Sequence, residues 1–273
     1  MNVQHKHQIL ILVKTYPAPS ATHIEICCTA GIDADGKMVR IYPVPFRLMA
    51  ENKQYTKWQW IEAETSRPPK DHRPESRRIN CDDMRVDPRL IIKDWSEKMK
   101  WLDRCPHFDS IEGIEQARQK KGVTLGIVPV IQILDLEIRS EAKDWTKEQL
   151  EKLTQQLQTD FFSDQACAIE EARRLEKIPF GFYYKFMSRG CSNAQTIRIT
   201  DWEICQLYRK MSKKYPNPDV WQAKMRQKYV EEFSTKDVYL ILGNQHRFPD
   251  QWLCIGVVAA PKGTQAPATG ELF

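Results

Sequence analysis

Asp33-Ala34-Asp35-Gly36 constrains the fold more than any other segment of the chain, because an Asp-Gly pair supplies the positive φ that a tight strand reversal needs. Upstream, His23 to Ala30 alternates Ile24, Ile26, Cys28 and Ala30 against His23, Glu25, Cys27 and Thr29. Downstream, Val39-Arg40-Ile41-Tyr42 continues the period of two until Pro43 removes an amide donor. A β-hairpin over these residues is therefore predicted. The uninterrupted run Ile9 to Val13 adds a buried strand beside it, and Trp58 to Glu64 adds another. Trp58 and Trp60, two apart, would share one strand face, where packing is the ordinary role of such a pair.

From Ser66 to Asp87 the apolar period disappears. Prolines crowd Arg67 to Pro74, and basic residues follow one another, which predicts a long surface loop or a boundary between lobes. Helical signals come next. Asp94 can cap a helix through Trp95, Met99 and Leu102, and Asp109 or Ser110 can cap a second that ends before Gly122. Thr124 to Ile138 returns to β-forming residues, broken at Pro129, and Thr146 with Gln149 forms a capping box ahead of Leu150, Leu153, Leu157 and Phe161. Ala166 to Lys177 reads as further helix and Gly181 to Phe186 as strand, with a short strand at Ile197 and Ile199. Thr200 or Asp201 opens a helix that Pro216 and Pro218 break. Asp219 then caps another, and Val238–Leu242 and Leu253–Val258 make a final strand pair.

The predicted class is α+β: a sheet-rich N-terminal part packed against helices, then a basic helical pair and a β-hairpin near the C-terminus. The divisions fall at 1–65 (β-rich), 66–93 (basic loop or inter-lobe segment), 94–200 (mixed), 201–260 (helical pair and hairpin) and 261–273 (loose tail). The helical pair with its hairpin resembles a winged-helix arrangement in element order, although the strands between it and the preceding helix interrupt the three-helix core such a domain needs.

Charge location matters more than its total, since a net +5 is no more than solubility requires. Arg209, Lys210, Lys213, Lys214, Lys224, Arg226 and Lys228 face a single acid in their own stretch, Asp219, a local surplus larger than that of the whole chain. Arg67, Lys70, Arg73, Arg77 and Arg78 form a second basic segment, with Asp71 and Glu75 available to brace it. Arg40 and Arg47 are placed to join that segment, and His246 and Arg247 fall at the tip of the last hairpin. Guanidinium forks suit phosphate oxygens, and Tyr42, Trp58 and Trp60 could stack on unpaired bases. The function expected is binding of DNA or RNA through the phosphate backbone. A divergent metal-dependent nuclease using Glu62 and Glu64, and an adaptor whose basic face meets an acidic protein, are the alternatives.

No cofactor motif is present: no glycine-rich phosphate loop, GxSxG elbow or HExxH helix. The cysteines include no CxxC pair, so buried free thiols are expected rather than a metal site, with Cys191 and the Cys105/His107 pair as the residual metal candidates. The apolar run at Ile9–Val13 is too short for a signal-peptide core or a membrane span, so a cytoplasmic protein without a membrane partner is expected.

Overall fold

The computed structural model describes residues 5–20, 24–149 and 175–264. The architecture is α+β, with two closed β-barrels and several helices. The first contains β1 (His5–Lys14), β2 (Ala18–Ser20), β3 (Ile24–Asp33), β4 (Met38–Val44), β5 (Gln59–Ser66), β6 (Ser76–Ile79) and β7 (Arg85–Ile91). The β3–β4 reversal pairs Ile32 with Met38, and Gly36 takes φ +83° there, as the Asp-Gly signature requires.

Strand β1 pairs with β3 on one side and β5 on the other, while β6 pairs antiparallel with β5 and parallel with β4. The five strands β1, β3, β4, β6 and β5 thus close in that order. Short β2 extends β3, and β7 extends β5. The alternation read in the sequence explains the closure. Ile9, Ile11, Val39, Ile41 and Ile61 point into one apolar core with Tyr55 and Phe46.

Helix α1 (Trp95–Leu102), capped by Asp94, and α2 (Ile111–Lys121), capped by Ser110 and ended by left-handed Gly122, lead into the second barrel. Its strands are β8 (Leu125–Ser140), β9 (Phe180–Ser188), β10 (Gln195–Ile199), β11 (Lys236–Asn244) and β12 (Trp252–Pro261). They close in the order β8, β9, β10, β12, β11, with only β10 and β12 parallel. Helices α3 (Trp202–Lys214) and α4 (Pro218–Arg226) lie between β10 and β11 in the chain and pack Ile204, Trp221 and Met225 onto the barrel core.

A third apolar cluster joins the barrels. Leu10, Leu12, Val13, Ala30 and Ile32 from the first meet Leu125, Ile127, Ile241, Ile255 and Val258 from the second, with Met99 and Leu102 of α1. The contact is close enough that a Cβ on Gly256 would lie 1.8 Å from Val13 Cγ1. Backbone bonds continue across it, with Tyr16 N–H donating to the Thr200 carbonyl at 2.9 Å.

Several expectations are corrected. Residues 66–87 are not one long loop, since β6 and the start of β7 lie within them and β6 closes the barrel. Only four residues long, β6 reads Ser-Arg-Arg-Ile, and its single apolar residue cannot show a period. Trp58 precedes its strand and has φ +65°. Both rings nevertheless pack, Trp58 against Trp95 and Trp60 against Trp101. Pro129 does not break β8, where it stands opposite Tyr239. Asn217, with Pro218 after it, caps α4 in place of Asp219. The final strand pair is no wing, because both its strands are built into the second barrel. The Thr146–Gln149 capping box forms, but Leu150 to Phe161 and Ala166 to Arg174 lie outside the described residues.

Candidate functional site

The outer face of β3 and β4 divides along its length. Ala30, Ile32 and Met38 lie beneath the second barrel, while Ile26, Cys28 and Tyr42 open into a groove of about 1190 Å³. Arg40 marks the border between the two halves. The β1–β3 connection contributes Thr15, Tyr16 and Ala18 to one edge of the groove, and the β5–β6 loop contributes Pro68, Pro69, Lys70, Asp71 and Arg73. The opposite wall is the β11–β12 tip, Gly243 to Phe248, with Leu253, Ile255 and Thr200.

Charge in this groove is one-sided. Arg40, Lys70, Arg73, Arg78 and Arg247 line it, with His246, against a single carboxylate, Asp71, among the described residues. That carboxylate is already engaged: Arg73 donates to it from Nε at 2.9 Å and Nη2 at 2.7 Å, and from Nη1 to the Asn244 carbonyl at 2.9 Å. Burial opposes ionisation of Asp71, yet the Arg73 fork overrides it and holds the carboxyl well below its ordinary range. The same fork ties the β5–β6 loop of one barrel to the hairpin of the other. Tyr42 and Phe248 present exposed rings, 41% and 53% accessible. Burial of the Tyr42 hydroxyl raises its pKa, with the Arg73 and Arg247 charges opposing the rise.

Arg67 and Arg77 do not line the groove; both donate to the Pro74 carbonyl, at 2.6 and 2.8 Å, and hold the loop from behind. Glu75 accepts from Thr124 N–H at 2.9 Å, bracing the loop against the second barrel. Arg47, which the sequence offered to this patch, forms a two-pronged pair with buried Glu25.

The residues of α3, α4 and the turn after them lie elsewhere. Arg209, Lys210 and Lys213 line a separate depression with Glu176, which pairs with Arg209 at 2.8 Å. Arg226 reaches Asp135 at 3.4 Å, Lys228 pairs with Glu232 at 2.7 Å, and Lys224 donates to Gln227. Lys213 and Lys214 are exposed, and Lys214 lies over the Tyr215 ring. These neutralising acids come from outside residues 209–228, which is why a local charge count misses them.

Glu62 and Glu64 line a smaller depression with Asp82, Asp83, Lys53 and Arg85, where Glu62 lies 3.7 Å from both Lys6 and Arg85. Among the described residues no three His, Cys, Asp or Glu side chains are grouped to hold a metal ion. Burial pushes the Cys105 thiol up to about 12, and His107 Nδ1 meets the Cys105 carbonyl rather than its sulfur. Asn244 lies at the hairpin tip as expected, whereas Phe248 is a groove residue that sequence reasoning did not single out for stacking. The only signal for Phe248 was its position beside the hairpin turn.

Taken in chain order, the five strands of each barrel close as first, second, third, fifth, fourth and back to first, with third and fifth parallel. Both barrels share this order, which is the Greek-key order seen in oligonucleotide/oligosaccharide-binding barrels. The boundary between them coincides with two family matches: residues 5–104 match the family described as Domain of unknown function (DUF8758), and residues 107–273 the one described as Domain of unknown function (DUF8757). The second match spans more than half of the chain, which belongs to the DUF8757 family. No curated protein matches the chain. No helix among the described residues is long and apolar enough to cross a membrane.

Proposed function

We propose that the chain binds single-stranded nucleic acid in the groove between its barrels. Phosphates would lie against Lys70, Arg73, Arg78 and Arg247, and bases against Tyr42 and Phe248. The observation that carries this reading is coincidence of place. In barrels of this order, ligands lie across the second and third strands between the first–second and fourth–fifth connections. In the first barrel those parts are β3, β4, residues 15–20 and residues 67–75, and they contribute Arg40, Tyr42, Lys70 and Arg73 to the groove, with Arg78 from β6 beside them and Arg247 and Phe248 facing them from the β11–β12 tip. Fold alone does not decide ligand, but a sugar polymer offers no charge to match five cations around one engaged carboxylate.

The groove favours an unpaired strand over a duplex because its rings face bases only where bases are unstacked. The basic helical pair at 209–228 serves as a second, outlying phosphate contact in this reading, and the closing hairpin delivers His246 and Arg247 to the groove. Retention of labelled single-stranded DNA and RNA, compared with duplex, tests the proposal. Substitution of Lys70, Arg78 and Arg247 by Glu removes retention if the groove is the site. Retention unchanged by those substitutions refutes it.

A further inference from the structure

One groove residue is built unlike the others. Arg40 is 1% exposed, yet its Nε and Nη1, which carry three of the five guanidinium N–H bonds, meet no acceptor among the described residues. Its Nη2 is clamped by the Thr124 carbonyl at 2.8 Å, and a Cβ on Gly243 would approach it to 3.0 Å. The second barrel therefore fixes one end of the group, and the other donors stay buried and unpartnered in a residue that borders the groove. Asn244, buried beside Gly243, holds the complementary irregularity: among the described residues its Oδ1 accepts no bond, while its Nδ2 donates to the Pro249 carbonyl. A buried ionised group with unmet donors is costly unless an anion completes it. Burial lowers the Arg40 pKa and nearby Arg73 acts in the same direction, while Cys28, Glu75 and Asp71 favour the charged form, as an arriving anion would.

We infer that Arg40 receives the terminal phosphate monoester of a bound strand, with Asn244 Oδ1 accepting from a hydroxyl or amine of the end nucleotide. This rests on the groove being a strand-binding site and adds that it recognises a strand end. Depth makes the distinction. A phosphodiester inside a continuous strand carries nucleotides on both sides and remains with the exposed cations Lys70, Arg78 and Arg247. Only an end can lead a phosphate to a residue enclosed between two barrels, where it brings more charge and more acceptor oxygens than a phosphodiester.

The test measures affinity of the full chain for one oligonucleotide carrying a 5′-phosphate, a 3′-phosphate or hydroxyls at both ends. Inorganic phosphate at matched ionic strength is included as a separate arm. One phosphorylated end should bind about tenfold more tightly than the hydroxyl form. That ratio should collapse towards unity in Arg40→Met and recover in part in Arg40→Lys, which restores charge without the planar fork. Equal affinity for all three ends in the unmodified protein overturns the inference even if Arg40→Met fails to fold, and leaves the groove reading standing. Stabilisation by inorganic phosphate without any preference among strand ends overturns it in favour of a free-anion site. Failure to bind every strand overturns both readings.

Discussion

Lys14 shows how a single side chain carries the physics of this interface. Its ammonium sits 3.4 Å over the Phe46 ring and 5.1 Å from that of Trp202, and donates to the Tyr55 carbonyl. Burial lowers its pKa from 10.5 to about 8, against the opposing pull of Cys27, Glu203 and Asp201. The unfolded chain therefore holds this proton between about pH 8 and 10.5 after the folded one has released it, and folding is favoured as pH rises through that window. The gain is on the order of 3 kcal/mol. The stability of the wild type relative to Lys14→Met, from denaturant unfolding, should rise by that order from neutral to alkaline pH, and a constant relative stability would contradict the assignment. Tyr42 and Phe248 make the residue-scale prediction for binding. Truncation of either to Ala should weaken single-strand affinity by about 1–3 kcal/mol with little effect on stability, as titration of a labelled strand beside thermal melts would show. Tyr42 was readable as a stacking candidate because it ends an alternating strand at Pro43, whereas nothing local marks Phe248, whose value comes from facing another barrel.

At the scale of elements, the β5–β6 loop is shaped by Asp71, Arg73 and the carbonyl of Asn244. The paired side chains of Arg73 and Asp71 are only 15% and 14% exposed, so removing one strands the other charge. Arg73→Ala should destabilise the protein by about 3 kcal/mol, whereas the double variant with Asp71→Ala should recover part of that loss in a double-mutant cycle. Strict additivity would show that the pair does not shape the loop. The β3–β4 hairpin, the capped helices α1 and α2 and the strand character of 125–138 were legible because turn chemistry and periodicity are local. Strands β6 and β7 were not. Four residues bound in place by Arg40 and Ile41 on one side and Thr65 and Ser66 on the other carry no signal of their own. Pro129 and Trp58 were misread for a related reason, since local preference gave way to tertiary pairing. The basic groove was half legible: Lys70, Arg73, Arg78, His246 and Arg247 were in view, but their meeting depends on two loops distant in sequence.

For the whole molecule, the shared apolar cluster means that neither barrel has a dry exterior to spare. Gly256→Ala should force β12 away from Val13, cost about 1–3 kcal/mol and leave a single cooperative unfolding transition. Two separated transitions in the unsubstituted protein would show that the barrels fold independently. Barrel closure could not be read from sequence, because strand order depends on long-range pairings such as β1 with β5 and β10 with β12. Charge placement suffered similarly, with Glu176, Asp135 and Glu232 reaching the 209–228 region from other elements. In the proposed mode of binding, the groove between the barrels meets the phosphates more than the helical surface does. The most direct measurement is the salt dependence of single-strand affinity for wild type, for Lys70→Glu/Arg78→Glu/Arg247→Glu, and for Lys210→Glu/Lys213→Glu/Lys214→Glu. Affinity should fall steeply with salt in the wild type. The groove variant should lose most of that affinity and flatten the slope, while the helical variant should lose only a minor part. A groove variant that matches the wild type in affinity and slope would contradict the account.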